Sequence, residues 1–270
     1  MCKNATKWTL AAAMVLVFAI TATALTADEI LDQMEAESDK LAEGSMVATV
    51  RFDNTYRDGT TSGNLFGMLS KPRFTLMYFI EPSDVAGTIF LTYEDENGDD
   101  KLHLYLPLLG VPKELVSDEE RGGSFAGSSM SYADFGEGAD RDDAVASLIG
   151  EEELVIDGET RTAYVIESVA KPDVDTDTPR TLLWVDTEAL VMLKMEAYND
   201  LGNLSMTLEV VSLTQFEGML TADEMLSTDV LEGSSTLITV IDRHRPDATI
   251  PDQVFSPDSL MTFDPVAWGF

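Results

Sequence analysis

The chain is expected to be mainly β (α+β). We expect one antiparallel, strongly curved sheet of about ten or eleven hairpin-linked strands, opened by a single helix, with helical or loop elements against its concave face. Three observations lead there. Apolar and polar residues alternate in run after run, the period of a half-buried strand. Gly, Asn-Gly and Asp-Gly steps punctuate those runs as hairpin turns do. Helical spacing is clear only over 28–41, and no βαβ alternation is present, which argues against a doubly wound nucleotide fold.

Over 28–41, Ile30, Leu31, Met34 and Leu41 share a helical face, Thr26 and Glu29 are spaced for a capping box if a leader is cut before Thr26, and Gly44 stops the helix. The period then shifts to that of strands. Residues 46–54 and 62–69 read as a hairpin across Asp58-Gly59. Residues 73–80 alternate between Pro72 and Pro82, the boundary positions proline tolerates in sheets. Residues 88–93 and 101–106 form a hairpin across Asn97-Gly98, the strongest turn signal in the chain. Residues 107–140 hold no period and are rich in Gly, Ser and Pro, the mark of a long functional loop or lid. A helical turn is expected at 144–149. Strands resume at 153–156, 162–170, 181–186, 191–198, 204–213 and 235–243. Residues 219–231 read as a weak strand in which 222–226 also suits a helix. The segment 250–270 carries three prolines and several aromatics.

Residues 1–27 have the three-part plan of a secretory signal peptide: Lys3 and Lys7, an apolar core at 10–20, then small residues with cleavage after Ala24 or Ala27. That core is shorter than the roughly 20 residues a membrane span needs. The reading is a soluble exported protein whose residues 28–270 form a single domain. Cys2 is the only cysteine and precedes the apolar core, so it is not placed for lipidation, and cleavage removes it. Disulfides, cysteine nucleophiles and cysteine-held zinc are then excluded. Lys and Arg number 17 against 49 Asp and Glu, a net charge of −32. Such a chain cannot neutralise phosphates, so no nucleic-acid partner is expected, and an anionic membrane repels it. The acids are spread along the whole chain, which suits solubility in a saline habitat, where salt screens like charges; a docking face for a basic partner is the alternative.

Catalytic signatures are lacking. His103 reads as a strand residue and His244, between Arg243 and Arg245, as exposed loop. Gly122 to Gly127 comes near a nucleophile elbow without matching it or its strand-turn-helix setting. The acidic turn around Gly98 and the Asp173, Asp175, Asp177 series depart from a calcium loop: Leu104 and Trp184 stand where its closing glutamate belongs, and Thr178 replaces the second loop's glycine. No catalytic residue, metal site or cofactor is assigned. What the chain does offer is large apolar side chains at alternate strand positions. Phe66, Met68, Phe74, Leu76, Tyr78, Ile89, Leu91, Leu102, Leu104, Leu193, Met195, Met206 and Leu208 serve either as an ordinary core or as the wall of a cavity. Methionine adapts to irregular apolar partners, and the chain has 13 of them.

Several blocks carry a resemblance. They are Phe79-x-x-Pro82-x-Asp84-x-x-Gly87-Thr88-x-x-Leu91, Leu104-Tyr105-Leu106-Pro107-x-Leu109-Gly110, and Ser124-Phe125-x-Gly127-Ser128-x-x-Ser131-Tyr132-x-Asp134. Leu183-Trp184-Val185-Asp186, Lys194-x-Glu196-x-Tyr198-x-x-x-Gly202 and Ile250-Pro251-Asp252-x-Val254-Phe255-Ser256 follow in order. Together they resemble the LolA-like family of periplasmic lipoprotein-sorting and carrier proteins. The resemblance implies a half-open antiparallel β-barrel with a helical lid over a hydrophobic cavity. It also implies outer-membrane lipoprotein sorting, acylated or hydrophobic ligands, and an inner-membrane exporter of the resistance-nodulation-division type as a partner. The family's best-known carriers latch the lid with an arginine, for which Arg51 and Arg73 are the candidates. Envelope sensors and a shape-based enzyme share the fold, so a sensor or protein-interaction module without an exchangeable ligand is the alternative function.

Overall fold

The computed structural model describes residues 25–135 and 141–270. The expected signal peptide core and Cys2 lie outside them. The elements run α1 Ala27–Ala42, β1 Met46–Thr55, β2 Thr61–Lys71, β3 Phe74–Glu81, β4 Ile89–Glu94, β5 Asp100–Tyr105, β6 Pro112–Glu114 and α2 Asp118–Arg121. They continue as β7 Ala144–Ile156, β8 Glu159–Ala170, β9 Arg180–Asp186, β10 Met192–Tyr198, β11 Leu204–Phe216, β12 Met219–Asp229 and β13 Ser234–His244. Short 3-10 turns occupy Phe125–Gly127, Ala133–Phe135, Arg141–Asp143, Asp252–Phe255, Pro257–Thr262 and Pro265–Trp268.

All 13 strands form one curved antiparallel sheet in the order β6-β5-β4-β3-β2-β1-β13-β12-β11-β10-β9-β8-β7. Its edges, β6 and β7, do not pair, so it does not close into a barrel. The count exceeds the expected ten or eleven for the first two of three departures, and the third lengthens a strand already expected at 153–156. Residues 219–229 form a full strand, paired with β11 across two register shifts and with β13 over Glu224–Asp229. Residues 112–114 add a short edge inside the segment expected to be irregular. Residues 144–149, expected as a helical turn, are the first half of β7 paired with β8. Hydrogen bonding to a long neighbour outweighs weak local preference there.

Paired residues share a face, so the register divides the sheet cleanly. One face carries Phe52, Phe66, Phe79, Phe90 and Ile238, and is covered between β1 and β5 by residues 115–135, which contribute Leu115 and Phe125 to that core cluster. The same face carries Ile166 and Val185 on β8 and β9, which are covered by Ile30 and Leu31 of α1. The opposite face carries Leu69, Leu76, Ile89 and Leu91, and is covered by Ile250, Phe255 and Leu260 of the segment 250–270. Strands β2–β5 are therefore apolar on both faces, as strands sandwiched between two layers must be.

α1 starts as its sequence dictates. The Thr26 hydroxyl accepts from the Glu29 amide at 3.2 Å, and the Glu29 carboxylate accepts from the Thr26 amide at 2.8 Å. Ile30 and Leu31 point inward, each contributing about 1.5–3 kcal/mol by burial. Arg141 ties the exposed side of α1 down through Asp32 at 2.7 Å and Glu35 at 3.1 Å. Arg245 donates to the Leu41 carbonyl at the far end at 2.7 Å. No helix among the described residues is long and apolar enough to cross a membrane.

Candidate functional site

Following the register from Phe52 through Ile238 and Met225 leads to Val210, Leu208 and Met206 on β11, then to Met195 and Ala197 on β10 and Leu183 on β9. These residues lie on the face that bears both α1 and the segment 115–135, between the two covers. Met195, Met206 and Leu208 are half-buried and belong to none of the four core clusters. They form an apolar strip between the two covers. From Met206 to Val210 the run spans roughly 13 Å at about 3.3 Å per residue, and Val210 itself is buried in a core cluster with Trp184 and Leu193.

A cleft opens at each end of the strip. At the Met206 end a cleft of about 930 Å³ lies between the segment 122–134 and the β12–β13 turn, with Met130, Met206 and Asp229 in its wall. At the other end a cleft of about 600 Å³ lies between α1 and the β9–β10 and β11–β12 turns, lined by Met34, Leu41, Met192 and Leu220. Arg161 borders this second cleft and donates to the Asp186 carboxylate at 2.8 Å. Burial pushes the Asp186 carboxyl up, but the Ala189 amide, Arg161 and the Glu188 amide more than offset it and hold it below the ordinary carboxylate range.

The cover over β1–β5 is filled by aromatics. Phe125 is fully buried, with ring centroids 4.4 Å from Phe135, 5.3 Å from Phe90 and Tyr132, and 5.7 Å from Phe66 and Phe79. A polar latch holds the cover at its edge. The Ser129 amide donates to the Thr236 hydroxyl at 2.9 Å, and the Ser129 hydroxyl meets that of Ser227 at 3.0 Å. Thr236 donates onward to Asn54 at 2.9 Å, and Asn64 donates to the Ala126 carbonyl at 3.1 Å. Gly127 sits at φ 72°, where a Cβ would come 2.9 Å from the Tyr56 hydroxyl. The left-handed backbone there favours glycine, and a side chain would also have to displace the Tyr56 hydroxyl.

The thirteen residues expected to line a cavity divide between the faces. Phe74, Leu76, Tyr78, Ile89 and Leu91 lie under the segment 250–270. Phe66 and Leu102 are fully buried beneath residues 115–135, with Met68 and Leu104 against the same cluster. Leu193 is fully buried at a bulge, leaving Met195, Met206 and Leu208 on the open strip. Arg51 is on the face opposite the strip, where it pairs with Asp53 at 3.0 Å. Arg73 occupies the β2–β3 turn and binds Glu94 at 3.2 Å. Met225 and Leu183 on the strip face were not among the cavity candidates, Leu183 being quoted only within a resemblance block, and the Ser129, Asn54, Asn64 and Thr236 latch was not singled out from sequence. The signal for the latch was available: Asn54, Asn64, Ser227 and Thr236 are polar residues at apolar-face positions of otherwise alternating strands.

The chemistry elsewhere is structural. Asp95 caps its turn, accepting from the Asn97 amide at 2.8 Å and the Asp99 amide at 3.1 Å. His103 is buried opposite Leu91, stacked on Tyr93 at 5.8 Å. Among the described residues no group of three or more His, Cys, Asp or Glu side chains is placed to hold a metal ion.

A DUF1329 family protein from Desulfovibrio piger superposes with a TM-score of 0.75 at 23% identity, covering 87% of this chain and 98% of that one. A domain described as an outer membrane lipoprotein-sorting protein from Vibrio parahaemolyticus gives 0.73 at 24% identity, covering 86% and 97%. A LolA superfamily protein from Nitrosomonas europaea gives 0.65 at 20% identity, covering 87% and 99%. No curated protein matches the chain. A family model described as "Uncharacterized protein" matches residues 72–262, more than half of the chain. The chain belongs to the family that this model describes, and its sheet is LolA-like.

Proposed function

We propose that the protein is an extracytoplasmic carrier that binds a lipidated or hydrophobic ligand, as in outer-membrane lipoprotein sorting, along the strip on β10–β12. Residues 115–135 and α1 act as its lids. The observation that carries this reading is the uncovered run of Met195, Met206 and Leu208 between two lids on a sheet that does not close. An acyl chain laid there gains about 0.8 kcal/mol per buried CH2, and methionine conforms to chains of differing shape. The fold of the Vibrio and Nitrosomonas proteins supports the reading. Export rests on the leader at residues 1–27, and release on a partner that opens the lids, for which an inner-membrane exporter of the resistance-nodulation-division type is the proposal. Nothing in this reading requires catalysis.

One observation favours a second reading. Phe125 and its neighbours fill the face under residues 115–135, as expected of a sensor or protein-interaction module with no exchangeable ligand. Native mass spectrometry of protein purified without detergent separates the two. A co-purifying lipid or lipopeptide is the expected result; its repeated absence, with no uptake of added lipopeptide, overturns the carrier reading.

A further inference from the structure

The two ends of the strip differ in charge, and the difference assigns both the orientation and the head-group class of the ligand. At the Met206 end the cleft is bordered by five carboxylates, Asp58, Asp134, Asp177, Asp229 and Glu232, against one cation, Arg57. None of the five is in an ion pair among the described residues. Three of them accept only from neighbouring amides or hydroxyls: Asp58 from Thr60, Asp134 from Ser131, and Asp229 from the Glu232 amide at 2.8 Å. Arg57 is turned onto the Leu231 carbonyl. At the other end the charges are mostly neutralised in place: Arg161 by Asp186 at 2.8 Å and Glu37 by Lys40 at 2.5 Å. Glu188 is the one carboxylate of that cleft without an ion pair among the described residues, against five at the Met206 end, and the rest of its wall is chiefly methionine, leucine and valine with Ser38, Gln215 and Thr221.

We propose that the strip takes a single-chain amphiphile with a cationic head, seated with the head at the Asp177–Asp229–Glu232 mouth and the chain running along β11 toward Met192 and Leu220. The assignment rests on the carrier reading and narrows it. For a lipidated polypeptide it means that the residues following the acylated one are basic. An anionic head is repelled at the acidic mouth. At the opposite end it finds the one guanidinium already bound to Asp186. A neutral head reaches either end without gain. Unpaired carboxylates around an apolar slot act on a cation as a funnel that salt weakens.

The test compares dodecyltrimethylammonium, dodecyl maltoside and laurate as competitors of a fluorescent acyl probe, below their micellar concentrations. The cationic head is expected to bind about tenfold or more tighter than laurate at low ionic strength, with the gap closing in about 0.5 M sodium chloride. D177N/D229N/E232Q is expected to lose most of that preference. A control, D39N/E96Q/E151Q, removes the same charge from exposed sites elsewhere and is expected to keep it. Equal binding of all three heads overturns the assignment and leaves the carrier reading standing. Equal loss in the control overturns the location, because the preference then belongs to the net charge of the whole chain. No binding of any of the three overturns assignment and carrier reading together.

Discussion

Truncating Phe125 to alanine tests the aromatic cover directly. The side chain is fully buried and meets six rings, of which Phe135 at 4.4 Å is nearest and Phe52 at 6.1 Å farthest. Removing a buried phenylalanine costs about 3–5 kcal/mol in transfer and cavity terms. The ring pairs fall within that figure, because they are lost as one unit and do not add. The backbone bonds of the turn, Phe125 to Met130 at 2.8 Å and Ser128 to Phe125 at 2.8 Å, survive the change. For a domain of this size each kcal/mol moves the melting midpoint by about 2–4 °C, so a fall of roughly 6–20 °C is expected. Thermal unfolding followed by circular dichroism measures the shift, and urea unfolding the free-energy loss. Phe125→Leu keeps most of the volume and is expected to cost under about 1.5 kcal/mol. A loss below about 1 kcal/mol for the alanine variant would refute the packing argument, since it would mean that the ring occupies no closed site.

Three further outcomes follow from the same geometry. Ser129→Ala removes the hydroxyl half of the latch and leaves the buried Ser227 hydroxyl short of a partner, while the Ser129 amide still donates to Thr236, at a cost of about 1–3 kcal/mol; limited proteolysis is expected to cut the segment 122–135 faster, and an unchanged rate would show that the Ser129 hydroxyl holds nothing. Gly67→Ala places a Cβ 2.4 Å from the Phe270 ring, so Phe270 must leave its seat and its amide exchange must quicken; unaltered exchange would contradict that contact. Burial holds the His103 imidazole below its ordinary value, with Glu114 opposing and Lys101 adding to the fall. The unfolded chain therefore binds the proton more readily, and stability drops as pH falls through about 6.5. His103→Phe, which keeps the stack on Tyr93, is expected to flatten the stability profile between about pH 7 and pH 5, and a slope equal to wild type would place that dependence elsewhere.

Local chemistry was legible where it was strong. The Thr26–Glu29 box, the Asn97-Gly98 hairpin and the alternation of 74–80 each specify their own backbone. The face assignments were not legible, because β3–β5 alternate large apolar residues on both sides and nothing local says which cover lies where. That is why Leu76 and Leu91 entered the same set as Met195 and Met206, although register places the two pairs on opposite faces. The first half of β7 escaped for a related reason. Ala144 to Ile149 is short, small and only loosely alternating, and is held by its pairing with Ile166 to Ala170 of β8 rather than by its own preference. The Ser129 latch depends on contacts about a hundred residues apart in sequence, beyond the reach of any window of periodicity.

The central claim is that a fatty chain reaches the strip on β10–β12. A dodecyl chain bearing a diazirine, photolysed with the intact protein and mapped by peptide mass spectrometry, tests it most directly. Adducts on 192–198 and 204–213 that are displaced by unlabelled dodecyl ligand are the expected result. Adducts confined to the face beneath 250–270, or none that a competitor displaces, would contradict it.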